Sequence, residues 1–276
     1  MDDRISAMDG VIMKDVITSK DNKYIKLVRS LDKKKYRTKE GLFVAEGARN
    51  CFEAVISTAE VQYILVKESK YTNPEVVKVL AAVDETKTTV MTVEDKVFDS
   101  ACHTEESQGI MALIKIKNLN VDDFAEKVCG KQIAVLDGLQ DPGNMGTILR
   151  TAWAAGLGGI VSVNNSADVY NPKVVRSTMG AVYHLPVIRL DNAAAVEFLA
   201  ANGYSLTVAD AGGDDYRKFK ADDKKVAWLL GSEGNGVSDF WRRQAGNVVS
   251  VPMAKNVESL NVAVAAGILF FSQAKL

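Results

Sequence analysis

Five side chains that could orient an anion or a hydroxyl, Asn144, Arg150, Glu233, Ser259 and Asn261, fall in three polar loops of this 276-residue chain. Each loop follows a run of apolar residues. In the first, "LDGLQDPGNMGTILRTA", Pro142 and Gly143 make the turn and Asn144 suits either a helix cap or a ligand contact. Arg150, near the second turn of that helix, could hold a phosphate at the helix start or simply snorkel to water. The second loop, "LLGSEGNGVS", has Gly231, Gly234 and Gly236 around one ionisable group, Glu233. It has neither the G-x-G-x-x-G spacing of a dinucleotide site nor the Gly-Lys-Ser/Thr of a Walker loop, and also reads as a tight turn with an exposed acid. The third, "VPMAKNVESLNVAVAAGILFF", sets Glu258, Ser259 and Asn261 ahead of an apolar helical run that Ser259 could cap. Their conjunction at strand ends argues for one site.

The chemistry open to these groups is narrow. The two histidines, His103 and His184, lie outside the loops, and no Cys or acid pair accompanies them. Ser-His hydrolysis, paired-carboxylate glycoside chemistry and metal catalysis are therefore disfavoured, and no metal ligands are assigned. An Arg, amides, hydroxyls and one carboxylate suit the alignment of an anionic substrate with an already reactive donor, as in group transfer to an RNA hydroxyl.

Positioning those loops requires strands that end beside one another. From residue 133, strand-like "IAVLDG", "GIVSV", "LPVIRL", "YSLTVAD", "VAWLLG" and "VVSVP" alternate with helical segments, the last beginning at Ser259. Such alternation without hairpin turns indicates an α/β fold with a mostly parallel sheet and helices on both faces, with ligands at the carboxyl ends of the strands. Before it, one basic amphipathic helix is expected in "SKDNKYIKLVRSLDKKKYR". A smaller α/β unit with strands in "GLFVAEG", "VQYILVK", "TTVMTV" and "HTEESQGIMALIKIKN" follows. The expected division is a tail at 1–16, a first domain at 17–117, a connection at 118–130 with about one helical turn, and a second domain at 131–276.

Net charge is −1, yet from Lys14 to Arg49 eleven Lys and Arg stand against five Asp and Glu, with Tyr24 and Tyr36 interleaved. That pattern fits a solvated helix face, or a surface that holds phosphates and stacks bases through Lys20, Lys23, Lys33, Lys34, Lys35, Arg37 and Arg49. Cys51, Cys102 and Cys129 are too scattered for a disulfide framework or a zinc site. The longest apolar stretch falls short of a membrane span, and the acidic start lacks a signal-peptide layout, so a cytoplasmic protein without membrane contact is expected.

"DPGNMGTILRTAWAAG", "LLGSEGNGVS" and "VPMAKNVESLNVAVAAGILF" resemble, in order and separation, the three signature motifs of the SpoU (TrmH) branch of the SPOUT RNA methyltransferases. "ITSKDNKYIKLVRSL", "FVAEGARNCFEAV" and "ESQGIMALIK" resemble that family's N-terminal substrate-binding domain. The resemblance implies methylation of a ribose 2'-hydroxyl in structured RNA with S-adenosylmethionine as cofactor, and the separate first domain favours ribosomal over transfer RNA. It further implies a C-terminal trefoil knot and a homodimer. By the same similarity Arg150 is the catalytic Arg, with Asn144, Glu233, Ser259 and Asn261 in support. The cofactor would lie near Gly231, Val251, Met253 and Leu260, with Thr178 and Gly180 close by. The third motif departs from the family at "MAKN", residues 253–256, where a Gly often helps the turn. The competing expectations are a non-catalytic RNA-binding or ribosome-assembly factor that keeps the fold, and a small-molecule methyltransferase.

Overall fold

The structure is a computed structural model that describes residues 16–104, 106–221 and 225–274. Apart from Val16, the tail expected at 1–16 lies outside the described residues. The basic segment forms two helices where the periodicity predicts one: α1 (Lys23–Ser30) and α2 (Lys34–Glu40). The break falls at Leu31, whose side chain is fully buried with Ile25 and Val28. It leaves carbonyls at the end of α1 without helical partners. Arg37 meets them: its Nη1 donates to Leu31 O at 2.7 Å and to Asp32 O at 2.8 Å.

The first sheet contains β1 (Leu42–Glu46), β2 (Val61–Lys67), β3 (Thr89–Val93) and β4 (Ile110–Lys115), in the order β1-β4-β2-β3. Its helices are α3 (Ala48–Ile56), α4 (Pro74–Ala81) and α5 (Asp95–Asp99). Strand β4 inserts between β1 and β2, antiparallel to both, while β2 and β3 are parallel. The unit is thus mixed, because its last strand pairs with its first across a long separation in sequence.

The stretch 118–130, expected as a connection, holds α6 (Val121–Val128), capped by the Asn120 side chain; its Phe124 and Val128 are buried among Ile133, Val135 and Val161 of the second unit. That unit has six parallel strands: β5 (Ile133–Asp137), β6 (Gly159–Val163), β7 (Val187–Arg189), β8 (Tyr204–Asp215), β9 (Lys225–Leu230) and β10 (Asn247–Ser250). Their order is β10-β8-β9-β5-β6-β7. Helices α7 (Pro142–Ala154), α8 (Pro172–Thr178), α9 (Ala181–His184), α10 (Asn192–Ala201), α11 (Asp239–Gln244) and α12 (Val262–Ser272) complete it. One core layer lies under α7 and α12, the other under α6, α10 and α11. Both faces of the sheet are covered, which explains why β5 is apolar along both of its sides. Strand β5 leads to β6 on one side and β9 to β10 on the other, so connectivity reverses between β5 and β9. That is where α/β sheets open a crevice at their carboxyl ends.

The two units share a buried junction. Val175 of α8 packs into the core of the first sheet, and Phe43 meets Tyr170 with ring centroids 4.7 Å apart. Burial pushes the Tyr170 phenol up to about 12, with the Asp168 carboxylate adding to the effect. Arg37 Nη2 donates to Asp168 Oδ2 at 2.6 Å, with side chains only 3% and 19% exposed. The expectation that Arg37 faces RNA is corrected here, because its guanidinium is consumed by Leu31, Asp32 and Asp168. Removing one partner of a buried pair strands the other charge, so Asp168→Asn should lower unfolding free energy by about 3 kcal/mol in urea titration. Arg37→Lys should also destabilise, since one ammonium cannot span all three acceptors.

Candidate active site

The helix after β5 begins earlier than the sequence indicates. Asp141 is its cap, accepting from Asn144 N at 2.7 Å, and Pro142 takes the first helical position. Asn144 is therefore in the first turn with its carboxamide free, and Arg150 falls in the third turn rather than the second. The last helix likewise begins later than expected. Its cap is Asn261, whose Oδ1 accepts from Ala263 N at 2.9 Å and Val264 N at 3.3 Å, whereas Ser259 lies outside the helix.

These two caps set up a directed chain of hydrogen bonds. Because the Asn261 oxygen is committed to the start of α12, its amide nitrogen must face outward, and it donates to Asn144 Oδ1 at 2.9 Å. That fixes the Asn144 amide in turn, and its Nδ2 donates to Glu233 Oε1 at 2.9 Å. All three loops thus meet in one relay that ends on a carboxylate. Arg150 does not join it. It is exposed, makes no hydrogen bond or ion pair among the described residues, and follows Asn144 by about 240° of turn and roughly 9 Å of helix.

Glu233 is presented by a turn that closes on itself. Ser232 and Gly236 exchange backbone hydrogen bonds of 3.0 and 2.9 Å. A Cβ at Gly231 would lie 2.1 Å from Gly236 C, so Gly231 is required by the turn's own backbone. Gly236 has φ +64°, the left-handed region. Arg242 of α11 clamps the far end, donating from Nε to Val237 O at 3.0 Å and pairing through Nη2 with Asp210 at 2.6 Å.

Beside this turn lies a cavity of about 640 Å³, lined by Gly231, Glu233, Val251, Met253, Ser259, Leu260 and Asn261. Its floor is apolar, from Leu230, Val249 and Leu269, while Asp210 and Glu258 bring carboxylates to the lining. A cavity of mixed apolar and polar lining with carboxylates at hand fits S-adenosylmethionine, which combines a flat heterocycle, ribose hydroxyls and positive charge. Asp210 closes the expected strand "YSLTVAD", and β8 runs on past it. "AGGDD" is polar and glycine-bearing, yet it extends the strand and pairs with β10 beyond a register shift.

Thr178 and Gly180 stand elsewhere, which corrects their expected place near the cofactor. Thr178 is fully buried, with Oγ1 donating to Val175 O at 2.7 Å. Gly180, at φ +101°, lies against Glu53 of α3, where a Cβ would come within 2.6 Å of Glu53 Cγ. The turn they form shapes the junction between units. Of the basic residues, Lys20, Lys23, Lys33, Lys34 and Lys35 are exposed, and exposed Arg49 approaches Glu53 at 3.6 Å.

Residues 131–271 match the SpoU rRNA Methylase family and residues 22–112 the MRM3-like substrate binding domain. The chain is 33% identical over 257 residues to the 23S rRNA (guanosine(2553)-2'-O)-methyltransferase RlmP of Bacillus subtilis, covering 92% of this chain and 97% of that protein. The AdoMet-bound rRNA methyltransferase of Sinorhizobium meliloti superposes with a TM-score of 0.83 at 29% identity, over 94% of this chain and 96% of that one. The SpoU methyltransferase AviRb of Streptomyces viridochromogenes, in complex with AdoMet, gives a TM-score of 0.80 at 27% identity, over 91% and 96%.

The turn geometry makes a direct prediction. In calorimetric titration with S-adenosylmethionine, Gly231→Ala should weaken binding more than tenfold (about 1.4 kcal/mol), whereas Gly234→Ala, whose Cβ meets nothing within 4 Å, should bind normally. Equal affinity in both variants would contradict the role given to Gly231. With three signature loops tied together beside such a cavity, and matches spanning both of its sheets, the chain belongs to the SpoU rRNA methylase family.

Proposed function

We propose that this protein transfers a methyl group from S-adenosylmethionine to a ribose 2'-hydroxyl of structured RNA, ribosomal in preference to transfer RNA. The observation that carries the reading is the Asn261–Asn144–Glu233 relay at the mouth of the cavity, in a chain of this family. Bound S-adenosylmethionine would supply an electrophilic methyl group on a positively charged sulfur. Gly231, Val251, Met253 and Leu260 would hold it, against apolar walls and turn backbone.

The remaining steps belong to the chain's own groups. Asn144 and Ser259 orient the acceptor hydroxyl in line with the methyl, while Glu233 and Asn261 hold Asn144 in its rotamer. Arg150 grips the phosphate beside the target ribose and lowers the cost of the developing alkoxide. A guanidinium is essentially never neutral near pH 7, so the proton passes to that phosphate or to water rather than to Arg150. Transfer would join the methyl carbon to the ribose oxygen and leave the cofactor's sulfur neutral, as S-adenosylhomocysteine.

Arg150 stands outside the cavity of its own chain, so we assign it to a site completed by a second copy. Exposed Trp153 on α7, with Val264 and Phe271 on α12, supports a homodimer through this face. After the edge strand β10 the chain turns back over the central strands to pack α12 on α7, a path consistent with the expected trefoil knot. The exposed lysines of α1 and α2 are assigned to RNA phosphates, and residues 17–117 and 131–276 to substrate binding and catalysis. Among the described residues no helix is long and apolar enough to cross a membrane, and the cytoplasm is the proposed compartment.

Labelled S-adenosylmethionine and total RNA provide the test. Wild-type protein should label RNA at a 2'-O-methyl nucleotide that is missing from RNA of cells lacking the gene. Arg150→Ala should lose at least about a hundredfold in rate while cofactor affinity stays within twofold. Normal turnover in that variant would refute its role, and unlabelled RNA with wild-type protein would favour a non-catalytic RNA-binding factor.

A further inference from the structure

The turn that carries Glu233 has a second cavity on its other side. This cleft, of about 370 Å³, opens at the carboxyl ends of β5, β6 and β9, where Asp137 ends β5 and Asn164 and Ser232 lie just past the ends of β6 and β9. It occupies the reversal of connectivity between β5 and β9, the usual position for a ligand in such a sheet. Nothing in the methyl-transfer chemistry above uses it except Glu233, which lines both cavities.

The cleft has a built floor. Asp137 is only 4% exposed, and its carboxylate accepts from Asn164 Nδ2 and, at 2.8 Å, from Ser238 N. Asn164 is held in the left-handed region at φ +52°, which asparagine tolerates better than most side-chain-bearing residues. Beside Asp137, the hydroxyl of Ser238 is buried without a hydrogen-bond partner among the described residues. Around the rim the carboxamides of Gln140, Asn165 and Asn235 also make no side-chain hydrogen bonds among the described residues. The buried Ser238 hydroxyl is a group awaiting a partner, and the exposed amides are free to join it in holding one.

The chemistry of that partner follows from the lining. No Lys or Arg contributes to it, and two carboxylates do, so a phosphate would be repelled. Carboxamides and hydroxyls both donate and accept, which suits the edge of a planar heterocycle. Glu233 sits between this cleft and the cofactor cavity, so a ribose held at Asn144 and Glu233 could direct its base into the cleft.

We propose that this cleft is the subsite for the base of the methylated nucleoside, unstacked from its helix and read along its edge by Gln140 and Asn165. The inference rests on the methyl-transfer reading above. Glu233 Oε1 is taken by Asn144, so the edge contacts fall to Gln140 and Asn165, whose carboxamides both donate and accept. Extrusion is the general means by which an enzyme reaches a nucleotide inside a helix.

The test uses the full chain and short transcripts spanning the nucleotide found by 2'-O-methyl mapping. At that nucleotide alone the base is left natural, replaced by one with a different pattern of donors and acceptors on its edge, or removed. Wild-type kcat/KM should fall at least tenfold on replacement or removal, the scale of one good edge contact (about 1.4 kcal/mol). The double variant Gln140→Ala, Asn165→Ala should lose at least tenfold on the natural RNA and show less than threefold discrimination. Its S-adenosylmethionine Kd should stay within twofold of wild type, which a collapsed fold would not allow. Equal turnover of natural and base-free RNA by wild type, or undiminished discrimination by the double variant, would overturn the subsite while leaving methyl transfer standing. Absence of transfer to any RNA would overturn the underlying reading, and the subsite with it.

Discussion

The Asn261 carboxamide is the constraint on which the site depends. Its oxygen satisfies the opening backbone N–H groups of α12, and that commitment decides where its nitrogen points. From there the orientation passes to Asn144 and then to Glu233, so one helix start sets the rotamers of groups from three distant parts of the chain. Hydrogen bonds aligned in this way polarise one another, and none of the three side chains can turn without breaking a neighbour. Ordering exposed amides costs conformational entropy, which the relay offsets before any ligand arrives.

The relay is in turn held by the sheet. β5 and β9 lie side by side, bringing the loop before α7 and the turn of Glu233 together at the point where connectivity reverses. That turn is thin because it is built from glycines that let its backbone fold on itself, and so it can serve as a partition with a cavity on either face. Packing of α8 and α9 against the first sheet, locked by Arg37 and Asp168, places the lysine-bearing helices at a defined position relative to the site. A rigid junction of this kind fits the proposed selection of RNA by shape as well as by charge.

Much of this was legible from residue types alone. Strand β5, the three polar loops and their place at strand ends follow from local pattern, since each strand and each glycine turn is specified by its neighbours in sequence. The errors share a different cause. Asp141 and Asn144, like Ser259 and Asn261, are all competent caps, and tertiary partners chose between them. Arg37 reads as one more cation in a basic run, and only its distant partner Asp168 explains its burial. The insertion of β4 between β1 and β2 and the extension of β8 depend on long-range pairing that no local window contains. Thr178 and Gly180 were expected near the cofactor by resemblance, but the fold uses them at the junction with α3.

The central claim is that the donor nitrogen of Asn261, acting through Asn144, orders the catalytic loop. Asn261→Asp isolates it, because aspartate caps a helix as well as asparagine does but has no N–H to give. At saturating S-adenosylmethionine and RNA, the variant should unfold within about 0.5 kcal/mol of wild type and yet lose at least tenfold in kcat, about 1.4 kcal/mol in barrier. An unchanged kcat in a variant of unchanged stability would contradict the account.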